Sequence, residues 1–148
     1  IPNPDLRHAY KNEIERQTLH VNSLGLAAAQ ASFSGECDEW LKELLVYLTC
    51  NRDLLVDDIA NNLPGRRCTI PDATYLAWLD CRALIESGKI DASPHKFFLS
   101  KAKVALNEGA EFGPGGEGFV RLNFGCPRSI LVEALDRLRR AVQSLGTP

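Results

Sequence analysis

The hydrophobic pattern of this chain changes character after its longest helical signal, and that change divides what it can fold into. Up to Leu63 apolar residues recur every three or four positions, as helices with one buried stripe require; after Arg66 stretches that alternate, as strands require, come in between further helical ones. The first part holds three helical signals. In "NPDLRHAYKNEIERQT" Asn3 stands as N-cap ahead of Pro4 at the first helical position, and Leu6, Tyr10 and Ile14 share one stripe. In "HVNSLGLAAAQASF" Val21, Asn22 and Ser23 form a connection, with Ser23 capping an alanine-rich helix whose small side chains let another backbone approach. The longest signal runs from Gly35 to Leu63. Glu36, Asp38 and Glu39 crowd its first turn, where the helix dipole favours them. Leu41, Leu45, Leu48, Leu55 and Ile59 form its stripe, Trp40, Leu44 and Tyr47 broaden it, and Leu63-Pro64-Gly65 stops it. At ~1.5 Å per residue this helix is about 40 Å long. That exceeds what a compact domain needs, so the helix is expected to run along a larger body.

After the change of period, "RRCTI" predicts a short strand. "ATYLAWLD" predicts a stronger one, with Tyr75, Ala77 and Leu79 on one face and Thr74, Leu76 and Trp78 on the other. Both faces are largely apolar, which suits a central strand. "SPHKFFLSKAKVAL" reads as a helix capped by Ser93 with Pro94 at its first position, running into a short strand near Val104 to Leu106. A glycine-rich loop, "NEGAEFGPGGEG", precedes the last strand, "FVRLNF". The closing helix starts at Pro127, carries Leu131, Leu135, Leu138, Val142 and Leu145 at alternating four- and three-residue spacing, gathers Arg137, Arg139 and Arg140 toward its C-terminus and stops at Gly146. The order predicts a helical front section joined to an α/β sandwich of three or four strands with helices on one face.

Several functions are excluded by the totals. The 148 residues carry a net charge of −2, which gives no electrostatic case for nucleic acid or an anionic membrane. No apolar run approaches the ~20 residues of a membrane helix. The five cysteines show no CxxC spacing and the three histidines lie far apart, so free thiols in a cytoplasmic protein are expected rather than a disulfide or metal framework. There is no methionine, which suggests a processed chain or a piece of something longer. "GPGGEGFV" matches a nucleotide-loop spacing through Gly113, Gly115, Gly118 and Val120, but a strand follows where phosphate binding needs a helix N-terminus. "SKAK", Ser100 to Lys103, offers a Ser-Lys pair, but its lysines sit in a polar stretch that reads as the solvated face of a surface helix, not the desolvated setting a catalytic lysine needs.

One polar residue does not fit its strand. In "FVRLNF" Val120, Leu122 and Phe124 share one face; Phe119, Arg121 and Asn123 share the other. A guanidinium is costly to bury without a partner. Either Arg121 closes an internal ion pair or reaches solvent from an edge, or its planar fork is kept for a carboxylate ligand.

The sequence "PDATYLAWLD", the glycine-rich loop, "GFVRLNFGCPRS" and the closing amphipathic helix together resemble the C-terminal part of the class I/II aminotransferase superfamily. More narrowly they resemble the pyridoxal-phosphate-dependent C–S β-lyases of the cystathionine β-lyase group, as do "IPNPDLR" and "NSLGLAAAQASF". The resemblance covers essentially the whole chain. It implies the α/β small C-terminal domain of fold type I: a three- to four-stranded sheet with helices on one face, preceded by helices of the large domain and a long connecting helix. Residues 1–35 would be the tail of the large cofactor-binding domain and 36–148 the small domain. By the family's pattern Arg121 matches the arginine that holds the substrate α-carboxylate, and Asn22 and Ser23 match a segment at the active-site edge. The Schiff-base lysine lies upstream in the family and is absent here, so no catalytic residue is assigned. Pyridoxal 5'-phosphate is expected in a full-length, homodimeric parent that cleaves cystathionine- or cysteine-type amino acids, and neither cofactor nor activity is expected of this segment alone. A class I/II aminotransferase and a non-catalytic binding or assembly module remain alternatives.

Overall fold

Asn3 does what its position predicts: its side-chain oxygen accepts the N–H groups of Asp5 and Leu6, at 2.9 and 3.1 Å, and opens helix α1 (Pro4–Arg16). The computed structural model describes every residue except Pro64, Ala92, Thr147 and Pro148, so the Pro64 part of the predicted helix stop lies outside the described residues. Helix α2 (Ser23–Ser32) is capped one residue earlier than its sequence suggests. Asn22, not Ser23, is the N-cap, its Oδ1 accepting the Gly25 N–H at 2.6 Å, because the amide reaches the third helical N–H while Ser23 is already helical. Helix α3 (Asp38–Asn62) follows, with Asp38 and Glu39 in its first turn.

The chain divides into two compact units, Ile1–Lys42 and Glu43–Pro148. In the first, α1 and α2 bury no residue, and large apolar side chains stand in the open, among them Phe33 at 91% and Leu24 at 84% exposure.

The second unit is built on a four-stranded antiparallel sheet in the order β1-β2-β4-β3. Its strands are β1 (Arg67–Cys68), β2 (Leu76–Asp80), β3 (Asn107–Glu108) and β4 (Phe119–Asn123). β2 is central, as its two apolar faces predict. Between β2 and β3 run a five-residue helix α4 (Arg82–Glu86), the short α5 (Pro94–Phe97), capped by Ser93, and a π-helical turn (Phe98–Ala102) closed by Lys103 in a left-handed conformation. The strand expected at Val104 to Leu106 forms instead at Asn107–Glu108, after Leu106 has turned into the core. A 3₁₀ turn (Gly109–Phe112) and the glycine-rich loop return the chain to β4. Gly109 and Gly116 touch backbone to backbone, so that a Cβ on either would stand about 2.2 Å from the other's carbonyl oxygen. The last helix, α6 (Arg128–Gln143), starts just after Pro127, which serves as its N-cap, and ends three residues before Gly146.

The core lies on one face of the sheet. Ala77 and Leu79 from β2 and Val120 and Leu122 from β4 point into it, with Leu55 and Ile59 of α3, Phe98 of the π turn and Leu131, Leu135 and Leu138 of α6. The α3 stripe is buried only in its second half: Leu55 and Ile59 are inside, whereas Leu45 is half exposed. A five-residue strand spans about 17 Å, some three turns of helix, so the sheet is too short to cover the whole stripe.

One buried polar residue ties α3 to the segment after β4. Asn51 is fully enclosed, and its Nδ2 donates to the carbonyls of Phe124 and Cys126 at 3.2 and 3.0 Å. Near it the Arg128 N–H donates to the Tyr47 hydroxyl at 2.6 Å. All five cysteines are free thiols; burial pushes Cys68 up to about 11 and Cys81 up to about 12, while Cys37 and Cys50 are exposed. Replacing Asn51 by alanine takes the donor from the buried Phe124 carbonyl and the part-buried Cys126 carbonyl, and removes the unpartnered Asn51 Oδ1 as well. The variant should lose about 1–3 kcal/mol of unfolding free energy in urea titration, the usual cost of one unsatisfied buried group.

Candidate functional site

The period of two that sends Val120 and Leu122 into the core turns Phe119, Arg121 and Asn123 to the opposite face of β4. The register sets Trp78 of β2 directly across from Arg121 on one side and Asn107 of β3 across from it on the other. This outer face is aromatic. The Trp78 ring stacks on Phe119, with centroids 5.5 Å apart and planes 17° apart, and meets Phe112 edge-on at 5.7 Å.

Two arginines lie on these rings, in different electrostatic states. Arg82, at the start of α4, places its guanidinium 4.8 Å from the Phe119 centroid and forks onto Asp80, Nε to Oδ1 at 2.9 Å and Nη2 to Oδ2 at 2.7 Å. The Arg82 hydrogen bonds hold the Asp80 carboxyl below its ordinary value and raise the guanidinium in turn. Arg121 places its guanidinium 4.4 Å from the Phe112 centroid, and its Nη2 donates to Asn107 Oδ1 at 3.2 Å. No carboxylate pairs with Arg121 among the described residues, and its Nε is buried without a hydrogen bond. The internal ion pair that periodicity left open is therefore not formed; the partners are an amide and a ring.

The other sequence candidates belong to other elements. Asn22 and Ser23 belong to the first unit, where the Asn22 amide oxygen is engaged in capping α2. The glycine-rich loop uses its own N–H groups: Gly113 donates to Ala110, Gly116 to Gly113, and Gly115 to the Glu117 carboxylate at 2.9 Å. Ser100 donates to the Phe97 carbonyl at 3.1 Å, and Lys101 and Lys103 are exposed. Asn107 and Phe112 were not singled out by sequence. Both sit in what reads as a glycine-rich loop; the β3–β4 pairing brings Asn107 to Arg121 and the 3₁₀ turn after it brings Phe112.

This arrangement, a small antiparallel sheet whose Arg121 pairs with no carboxylate among the described residues, can be set beside known proteins. No family model matches the chain. It is 36% identical over 143 residues to cystathionine beta-lyase PatB of Bacillus subtilis (strain 168), covering 96% of this chain and 36% of that protein. It is 38% identical over 130 residues to the cystathionine beta-lyase of Corynebacterium glutamicum, covering 88% of this chain and 33% of that protein. The PLP-bound C-S lyase from Staphylococcus hominis has a TM-score of 0.81 to it at 31% identity, over 88% of this chain and 34% of that one. The chain is homologous to part of the cystathionine β-lyases. Its fold matches a C-terminal portion of the fold type I pyridoxal-phosphate enzymes. The chain spans about a third of the length of the curated relatives it matches. None of its described helices is long and apolar enough to cross a membrane.

The Asp80–Arg82 fork gives this face a pH dependence whose sign follows from the depressed carboxyl. Its stabilisation is complete above the ordinary aspartate value near 3.8 and is lost as pH falls through the lower folded value. Arg82 is more than half exposed, so solvent screens the pair and the effect is small. Asp80→Asn should be slightly less stable than the parent sequence at pH 6, and the difference should shrink as pH is lowered below 3.8, as read by thermal unfolding.

Proposed function

We propose that this chain is the C-terminal portion of a longer pyridoxal-phosphate-dependent C–S β-lyase, and that Arg121 receives the α-carboxylate of its amino-acid substrate. The observation that carries this reading is the state of Arg121: a guanidinium with no carboxylate partner among the described residues, next to an Arg82 that has one. In this reading residues 1–35 are the tail of the large domain and residues 36–148 the small domain. Asn22 and Ser23 lie at the active-site edge. The parent is a homodimer in the cytoplasm, a compartment that suits free thiols.

The residues present do not fit the cofactor on their own. An amine that bonds an aldehyde at neutral pH must be desolvated or set beside another cation, and every lysine of this chain is exposed. In the parent the cofactor supplies an electron sink for bond cleavage at the amino acid's α-carbon. This segment contributes orientation. Two parallel N–H donors fix the carboxylate and so fix which substituents of the amino acid face the rest of the site. The leaving group is a thiol from the β-carbon, with pyruvate and ammonia as final products.

In the full-length protein Arg121→Ala should lower kcat/KM for cystathionine about 10- to 100-fold, the cost of a charge-assisted pair. Arg121→Lys should recover only part of it, because an ammonium offers no planar fork. Product analysis decides the chemistry: free thiol and pyruvate support the lyase, whereas a new amino acid formed from an added keto acid would replace it by an aminotransferase. The isolated chain, supplied with pyridoxal phosphate and cystathionine, should release no pyruvate above the protein-free control.

A further inference from the structure

We propose that Asn107 and Phe112 are positioning residues that aim Arg121 so that it grips a carboxylate end-on, through its Nη1 and Nη2 nitrogens. The proposal rests on the reading of Arg121 as the α-carboxylate site. A guanidinium can offer a carboxylate two forks, Nε with Nη2 or Nη1 with Nη2. Nε of Arg121 is enclosed and has no hydrogen bond, so a ligand arriving from solvent cannot use it. Asn107 Oδ1, 3.2 Å from Nη2, takes one of that nitrogen's two N–H groups and leaves one, so that with Nε closed off the remaining donors are at the Nη end of the fork. Phe112 lies against the guanidinium with 4.4 Å between the Arg121 Cζ and the ring centroid, which restricts rotation about the last side-chain bonds. The ring is itself braced, edge-on at 5.7 Å, by Trp78.

The chemistry of both partners suits this role. The quadrupole of a ring attracts a cation without neutralising it, and a side-chain amide oxygen accepts one hydrogen bond without bringing a charge. A carboxylate at position 107 would instead repeat what Asp80 does to Arg82, closing the fork internally. Asn107 is held in place by strand pairing, directly opposite Arg121 in the β3–β4 register, and Phe112 by the 3₁₀ turn that follows β3. The side chain of Phe112 is half exposed, so its replacement does not open the core.

The test uses the full-length holoenzyme and two small ligands, each measured by calorimetry. L-Alanine carries the α-carboxylate and no leaving group; ethylamine lacks the carboxylate. Phe112→Leu should weaken L-alanine about tenfold and leave ethylamine within about twofold. Phe112→Tyr should restore L-alanine to within about twofold of the parent protein. Asn107→Asp should weaken L-alanine by more than Phe112→Leu does, since the new carboxylate competes for the fork. Three results overturn the proposal. Equal weakening of both ligands by Phe112→Leu would show a merely structural effect. Unchanged L-alanine binding in Phe112→Leu and Asn107→Asp, with binding lost in Arg121→Ala, would remove the positioning role and leave the carboxylate site standing. Unchanged L-alanine binding in Arg121→Ala would remove both.

Discussion

The pairing of β4 between β2 and β3 fixes nearly everything else in the second unit. Because side chains alternate along a strand, the inward positions of Val120 and Leu122 settle the outward positions of Phe119, Arg121 and Asn123. Burial pins that choice. Ala77 and Leu79 sit against Leu122 and Val120 in the register, and all four are almost completely enclosed. A slip of one residue would carry Arg121 into the core and two aliphatic side chains out to water. The geometry of the outer face is thus set by packing on the inner one, and the site inherits its rigidity from residues that never touch it.

On that outer face, two guanidinium groups show how a fold distinguishes a structural cation from an available one. Both lie on aromatic rings, which favours them by a modest amount, about 0.5–1 kcal/mol where solvent reaches them. Arg82 adds Asp80 and becomes a neutral pair. Arg121 adds only Asn107 and keeps its full charge, with one buried N–H left without an acceptor. Such an orphan costs about 1–3 kcal/mol. Within the chain nothing offsets that cost. An incoming carboxylate would satisfy the free Nη donors, while Nε stays closed off behind them.

Local signals made much of this legible. The N-caps at Asn3 and Ser93, the prolines at the first turns of α1 and α5, the leucine spacing of α6 and the alternation in β2 and β4 are all decided within a few residues of themselves. The alternation alone also shows which face Arg121 occupies. What was not legible depends on partners far away in the chain. β3 is two residues long and exists because Asn107 and Glu108 meet β4; the apolar Val104 and Leu106 imitate a strand but follow the left-handed turn at Lys103. α4 is five residues long, too short to display a helical period. Asn107 and Phe112 are separated from Arg121 by a glycine-rich loop, and no spacing rule brings an amide and a ring from that loop onto a guanidinium.

The exposed apolar side chains of the first unit follow from the same physics. Helices of 13 and 10 residues are marginal in water, and caps such as Asn3 and Asn22 add only about 1 kcal/mol each. Fully burying a side chain such as Phe33 or Leu24 would contribute about 1.5–3 kcal/mol, more than any cap. The second unit shows the contrast: α6 sinks Leu131, Leu135 and Leu138 against the sheet and needs no side-chain cap at all. In the proposed parent the large domain would do for α1 and α2 what the sheet does for α6. The same cover would give Arg121 its setting, since a guanidinium that meets a carboxylate away from bulk water binds it far more strongly than one facing solvent.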